Sequence, residues 1–140
     1  MRIVHQKASC TGCQACVIAC KEQHKLPEKT NRCHMTFESA KESQMVGSAF
    51  HFKTCYQCHH AKCIAVCKTK ALYKESPTGV VKYDANKCTT CGACLEACPF
   101  NAIAMNLKRK RIEKCDLCGD ALPLCISACP FDLLTLEGER

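Results

Sequence analysis

Cysteine spacing constrains this chain more than any other feature. Of 140 residues, 17 are cysteine, and sixteen of those fall into four groups of four. The groups are Cys10, Cys13, Cys16 and Cys20; Cys55, Cys58, Cys63 and Cys67; Cys88, Cys91, Cys94 and Cys98; and Cys115, Cys118, Cys125 and Cys129. The first and third are spaced x2, x2, x3, the second x2, x4, x3 and the fourth x2, x6, x3. The repeat extends beyond cysteine, since Cys98-Pro99-Phe100-Asn101-Ala102-Ile103 matches Cys129-Pro130-Phe131-Asp132-Leu133-Leu134. Gly92 and Gly119 each follow the second cysteine of their group, where a tight turn needs a residue without Cβ. Four copies of one loop–helix–strand unit make an internal repeat.

Three chemistries compete for such groups. A secreted disulfide scaffold is disfavoured by the odd cysteine total, by the clustered spacing, and by Met1 to Ser9, which reads as neither an apolar signal nor a twin-arginine leader. Structural zinc usually joins two separated C-x2-C pairs. Here every group instead has three close cysteines and a fourth displaced by x3. That is the run which binds iron–sulfur clusters, the fourth thiolate ligating the other cluster of a two-cluster module. Thiol redox catalysis would need a C-x-x-C pair standing apart from the quartets, and there is none.

Composition agrees with a metal-stapled chain. The hydrophobic fraction of 47% counts the cysteines, and there is no Trp, with only five Phe and three Tyr. So thin a core needs staples. The formal charge of +7 would ordinarily suggest an acidic partner. However, a cubane with four thiolates carries about −2 when oxidised, so four of them would bring the loaded protein close to neutral. The basic run Lys108-Arg109-Lys110-Arg111 is read as solvated or cluster-compensating, not as a docking patch. No apolar run reaches membrane-spanning length, so a soluble cytoplasmic protein without its own anchor is expected.

Along the chain, Arg2 to His5 predicts a strand and Gln14 to His24 a helix placing Cys16 and Cys20 on one side. Lys25 to Ser48 reads as a long loop with at most one helical turn. Ala49 to Lys53 predicts a strand. The pairs Ala71–Lys74 with Val80–Tyr83, and Ala102–Asn106 with Lys110–Lys114, predict hairpins, and Leu133 to Leu136 a last strand. Cys33, the seventeenth cysteine, is expected to be a spare thiol. His59 and His60 lie in the expanded second loop, as exposed residues or as hydrogen-bond donors to cluster sulfur. Phe100 and Phe131 are expected in the core. With no Gly-rich phosphate loop and no nucleophile with its base, the chain is expected to be no enzyme in itself.

Groups must work in pairs, each lending its fourth cysteine, and spacing alone leaves the pairing open. The order of groups, the expanded second and fourth, and the phrase Lys114-Cys115-Asp116-Leu117-Cys118 resemble the four-cluster ferredoxin-type electron-transfer subunits of molybdenum and tungsten oxidoreductases and formate hydrogenlyase-type complexes. The resemblance covers nearly the whole chain. It departs at Lys68, which follows Cys67 where proline is usual. What it implies is an α+β fold of two nested bacterial-ferredoxin-like modules, with residues 1–48 and 107–140 forming the outer one and 49–106 the inserted inner one. Four [4Fe–4S] clusters would then be ligated by Cys10, Cys13, Cys16 and Cys129; by Cys115, Cys118, Cys125 and Cys20; by Cys55, Cys58, Cys63 and Cys98; and by Cys88, Cys91, Cys94 and Cys67. The implied role is electron transfer between a catalytic molybdenum/tungsten or hydrogenase subunit, working on a low-potential couple such as formate, aldehyde or hydrogen, and a further redox partner. A free-standing polyferredoxin and an iron–sulfur regulatory or nucleic-acid-binding protein are the alternatives.

Overall fold

The computed structural model describes residues 1–38 and 49–138. Its architecture is α+β, with four short helices and four two-stranded antiparallel sheets among those residues. Strand β1 (Arg2–His5) leads through a 3-10 turn (Lys7–Ser9) to helix α1 (Ala15–Gln23). Strands β2 (His34–Glu38) and β3 (Ala49–Lys53) then pair with Phe37 opposite Phe50. Helix α2 (Lys62–Ala65) precedes the hairpin of β4 (Leu72–Lys74) and β5 (Val81–Tyr83). Helix α3 (Ala93–Ala97) is followed by β6 (Ile103–Asn106) and β7 (Arg111–Lys114), and helix α4 (Leu124–Ser127) by β8 (Leu134–Glu137).

The predicted helix and strands form within a residue or two of their expected ends, and both hairpins pair. One stretch is corrected. Lys25 to Ser48 is not all loop, because His34–Glu38 forms β2; residues 39–48 lie outside the described residues. The run His34-Met35-Thr36-Phe37-Glu38 alternates polar and apolar residues with the period of a strand, and β3 supplies its partner.

Two long-range features organise the whole. The ends of the chain meet, β1 pairing antiparallel with β8 so that Ile3 faces Leu136 and His5 faces Leu134. The helices pack as a nested pair of pairs, the first, α1, against the last, α4, and α2 against α3 between them. The apolar core follows the same division. One cluster joins Cys16, Val17, Cys20, Phe52, Cys125 and Leu134; another joins Leu72, Val81, Cys94, Ile103 and Ile112. Sulfur thus supplies part of every core cluster, as the scarcity of large side chains required.

Strand β7 joins these regions and buries two charges. Glu113, 1% exposed, accepts from Arg32 at 2.8 Å, Arg111 at 2.9 Å and Asn106 at 3.1 Å. Arg32 also reaches Asp116 at 3.3 Å. Next to it, the buried Lys114 ammonium donates to the carbonyls of Val81 at 2.5 Å and Cys115 at 2.6 Å. Half of the basic run is likewise spent internally: Arg109 donates to the carbonyls of His24 and Lys25, and Arg111 to Glu113, while Lys108 and Lys110 stay exposed.

Candidate metal centres

The four groups share a backbone device that residue identity hides. Gly12, Gln57, Thr90 and Leu117, each two residues after the first cysteine of its group, all have positive φ, between 51° and 69°. Only one is glycine. A non-glycine residue held there costs roughly 1–2 kcal/mol, so three of four groups carry strain that something must offset. Alternating left- and right-handed residues turn successive backbone N–H groups inward, forming a nest suited to an anion. At Thr90 the N–H indeed donates to the Cys88 sulfur at 3.4 Å.

A second device follows the fourth cysteine. Lys70, Asn101 and Asp132, three residues beyond Cys67, Cys98 and Cys129, are also left-handed. Asn and Asp tolerate that conformation better than most side chains. The chain then doubles back, so that Ala102 N–H donates to Cys98 Sγ at 3.5 Å and Leu133 N–H to Cys129 Sγ at 3.4 Å. Donors aimed at sulfur favour the thiolate form that binds metal.

The cysteines meet across the sequence. Cys67 joins Cys88, Cys91 and Cys94 around a cavity of about 220 Å³. Cys129 joins Cys10, Cys13 and Cys16 around a smaller cavity that Phe131 also lines. Cys20 joins Cys115, Cys118 and Cys125 around a third, walled by Arg32, Asp116 and His24. Cys98 lies close enough to Cys58 and Cys63 to oppose their ionisation, as does Cys55. Burial pushes the Cys16, Cys94 and Cys115 thiols up to about 11 and the Cys125 thiol higher still. Bound cationic iron would reverse that, since a coordinating thiol is deprotonated outright. Among the described residues no three His, Cys, Asp or Glu side chains converge on a point that one metal ion could occupy. Thiols ringed round cavities, with N–H donors beside them, fit polynuclear clusters better than zinc.

Comparison with known proteins decides the family. The 4Fe–4S dicluster domain matches residues 46–139, and a 4Fe–4S binding domain matches residues 7–23. This protein belongs to the 4Fe–4S dicluster domain family. It is similar to the thiosulfate reductase electron transfer subunit PhsB of Salmonella typhi, with 33% identity over 94% of this chain and 72% of the relative. It is 35% identical to protein NrfC of Escherichia coli, over 95% of this chain and 63% of that protein. With the B subunit of polysulfide reductase from Wolinella succinogenes the identity is 33%, over 95% of this chain and 73% of the relative. The resemblance to ferredoxin-type electron-transfer subunits is borne out, and this dicluster protein is an iron–sulfur electron-transfer protein carrying more than one [4Fe–4S] cluster.

Other predicted residues take unexpected places. Phe100 and Phe131 are not core residues, being 40% and 50% exposed. Phe100 stacks on Tyr56 with ring centroids 4.2 Å apart. His59 and His60 are exposed, with Nδ1 of the first 3.2 Å from Nε2 of the second. Sequence reasoning passed over His24, whose Nε2 lies 3.6 Å from Cys118 Sγ. It also passed over Lys114, whose charge favours the thiolates of Cys63 and Cys115. A buried lysine at the edge of a strand leaves no periodic signal. No helix among the described residues is long and apolar enough to cross a membrane.

Proposed function

We propose that this chain is a four-cluster electron-transfer subunit built as two nested modules, the inner one (49–106) inserted into the outer (1–48 and 107–140). The observation that carries this is reciprocal exchange. Cys67 leaves its own group to stand with Cys88, Cys91 and Cys94, while Cys98 stands with Cys58 and Cys63. The same exchange relates Cys129 and Cys20 between the first and fourth groups. Packing of α1 on α4, packing of α2 on α3, and the β1–β8 pairing support the nesting. On this reading the inner module ends at residue 106, within the β6–β7 hairpin.

On this reading the ligand sets are Cys10, Cys13, Cys16 and Cys129; Cys115, Cys118, Cys125 and Cys20; Cys55, Cys58, Cys63 and Cys98; and Cys88, Cys91, Cys94 and Cys67. When bound, each cluster supplies one-electron chemistry. The protein holds the thiolates at fixed spacing, aims backbone N–H groups at sulfur and keeps water from the buried sites. Lys114 and Arg32 place positive charge where the loaded sites are negative.

The partner is a catalytic oxidoreductase subunit handing electrons to or from this chain, itself no catalyst, with a further redox partner at the other end. The names of two relatives add thiosulfate and polysulfide reduction to the formate, aldehyde and hydrogen couples considered for that catalyst. The thiols would be loaded in the reducing cytoplasm. Anaerobically purified chain should hold about 16 iron and about 16 sulfide. Cys129→Ala should remove the same cluster as Cys10→Ala by EPR; if it removes the cluster lost in Cys115→Ala, the nesting is wrong.

A further inference from the structure

Cys33 has no place in the repeat, yet it is 3% exposed and lines the same cavity as Cys20, Cys115, Cys118 and Cys125. Five thiols therefore surround a site for which four ligands suffice. Cys33 and Cys20 also belong to one buried core cluster, with Phe52 and Cys125. The fold clamps Cys33 from both sides. Before it, Arg32 is ion-paired with Glu113 and Asp116, and its carbonyl accepts from the Thr54 hydroxyl at 3.2 Å. After it, β2 begins, with His34 in register with Lys53. Its sulfur is thus fixed at the cavity wall by backbone held at two points.

Buried cysteines commonly pack as small hydrophobes. Here the thiol shares its cavity and its core cluster with Cys20, a ligand of the site that comes from a helix, α1, contributing no other ligand there. Cys20 is the one member of its set supplied from outside the 115–129 segment, and Cys33 lies on the same N-terminal stretch of chain as Cys20.

We propose that Cys33 is the reserve iron ligand of the Cys20, Cys115, Cys118 and Cys125 site, able to take the place of Cys20; this rests on the four-cluster reading. Exchange breaks the bond between iron and the Cys20 sulfur and forms one to the Cys33 sulfur. The Cys33 proton passes to the departing Cys20 thiolate, so the electron count and charge of the site do not change. A duplicated sulfur at the junction of the chain's two outer segments lets the site keep its metal when one ligand is oxidised or displaced.

The test compares iron, sulfide and reduced-state EPR of the full chain, purified anaerobically, in wild type, Cys33→Ala, Cys20→Ala and the double variant. Wild type, Cys33→Ala and Cys20→Ala are each expected to hold about 16 iron, and the double variant to lose about four of them. Equal iron loss in Cys20→Ala and the double variant overturns the proposal, as does failure of Cys20→Ala to assemble its site. Cys20→Ser, which preserves shape, gives a second arm. Its all-sulfur EPR signature should persist with Cys33 present and vanish in Cys20→Ser/Cys33→Ala, and an unchanged signature in both counts against the proposal. A wild-type chain lacking clusters would overturn the underlying four-cluster reading, an outcome distinct from failure of Cys33 alone.

Discussion

The cavity ringed by Cys67, Cys88, Cys91 and Cys94 and the one ringed by Cys20, Cys115, Cys118 and Cys125 use the same cysteine plan at different depths. The first measures about 220 Å³, and Thr89 and Cys91 on its wall are exposed. At the second, Cys115 and Cys125 are 9% and 6% exposed, and Arg32, Asp116 and His24 close the wall. One repeat unit thus yields a shallow site and an insulated one. The loop of the fourth group is longer, x6 where the third has x2, and the two loops also lie against different neighbours. Exposure and nearby charge are what tune a cluster's potential once its ligands are fixed.

The largest test of that contrast removes one thiol from each site. Cys91→Ala should cost about four iron, leave the remaining clusters, and lower the melting temperature of the chain only by the loss of that staple. Cys125→Ala should cost the same iron and lower the melting temperature further, because Cys125 packs in the core cluster with Cys16, Val17 and Leu134. Iron analysis with circular-dichroism melting reads both. Equal melting in the two variants would break the distinction between shallow and deep.

The charge wall of the deep site comes next. Glu113 sits below the ordinary carboxylate range: burial pushes it up, but Arg32, Arg111 and Asn106 more than reverse this. Glu113→Gln would leave Arg32 with only Asp116, which is partly exposed. Breaking a buried pair this way costs about 3 kcal/mol, and denaturant unfolding of the loaded chain should show it. A loss under about 1 kcal/mol would place this pair with surface ion pairs and remove the wall from the comparison.

Much of the fold was legible in the amino-acid sequence. The hairpin between Lys74 and Val80 announced itself through the turn residues Pro77 and Gly79, and α1 through helix-favouring residues that carry Cys16 and Cys20 at i, i+4. Strand β2 did not, because its alternation of Met35 and Phe37 with polar residues spans only five positions inside a long, mostly polar stretch. Phe100 and Phe131 misled for a related reason: after Cys-Pro the chain turns outward through a left-handed Asn101 or Asp132, carrying the ring before it to the surface. The grouping of the cysteines was readable from spacing, but the exposure of each site was not. Exposure depends on contacts such as Arg32 with Glu113, which are 81 positions apart.

The smallest effect probes the backbone shared by shallow and deep sites alike. Thr90 is exposed at φ 58°, so glycine there removes the left-handed penalty without removing packing. Leu117, in the equivalent position of the deep site, is 2% exposed, and glycine there would also empty a packed volume. Thr90→Gly should change stability by less than about 1 kcal/mol, since relief of strain opposes the greater freedom glycine has when unfolded. Leu117→Gly should destabilise by about 2–5 kcal/mol, as loss of a buried leucine does. Both variants keep the N–H groups that turn toward sulfur, so both should keep their iron. If Thr90→Gly lost its cluster while holding its fold, the threonine side chain, not the wound backbone, would be what shapes the shallow site.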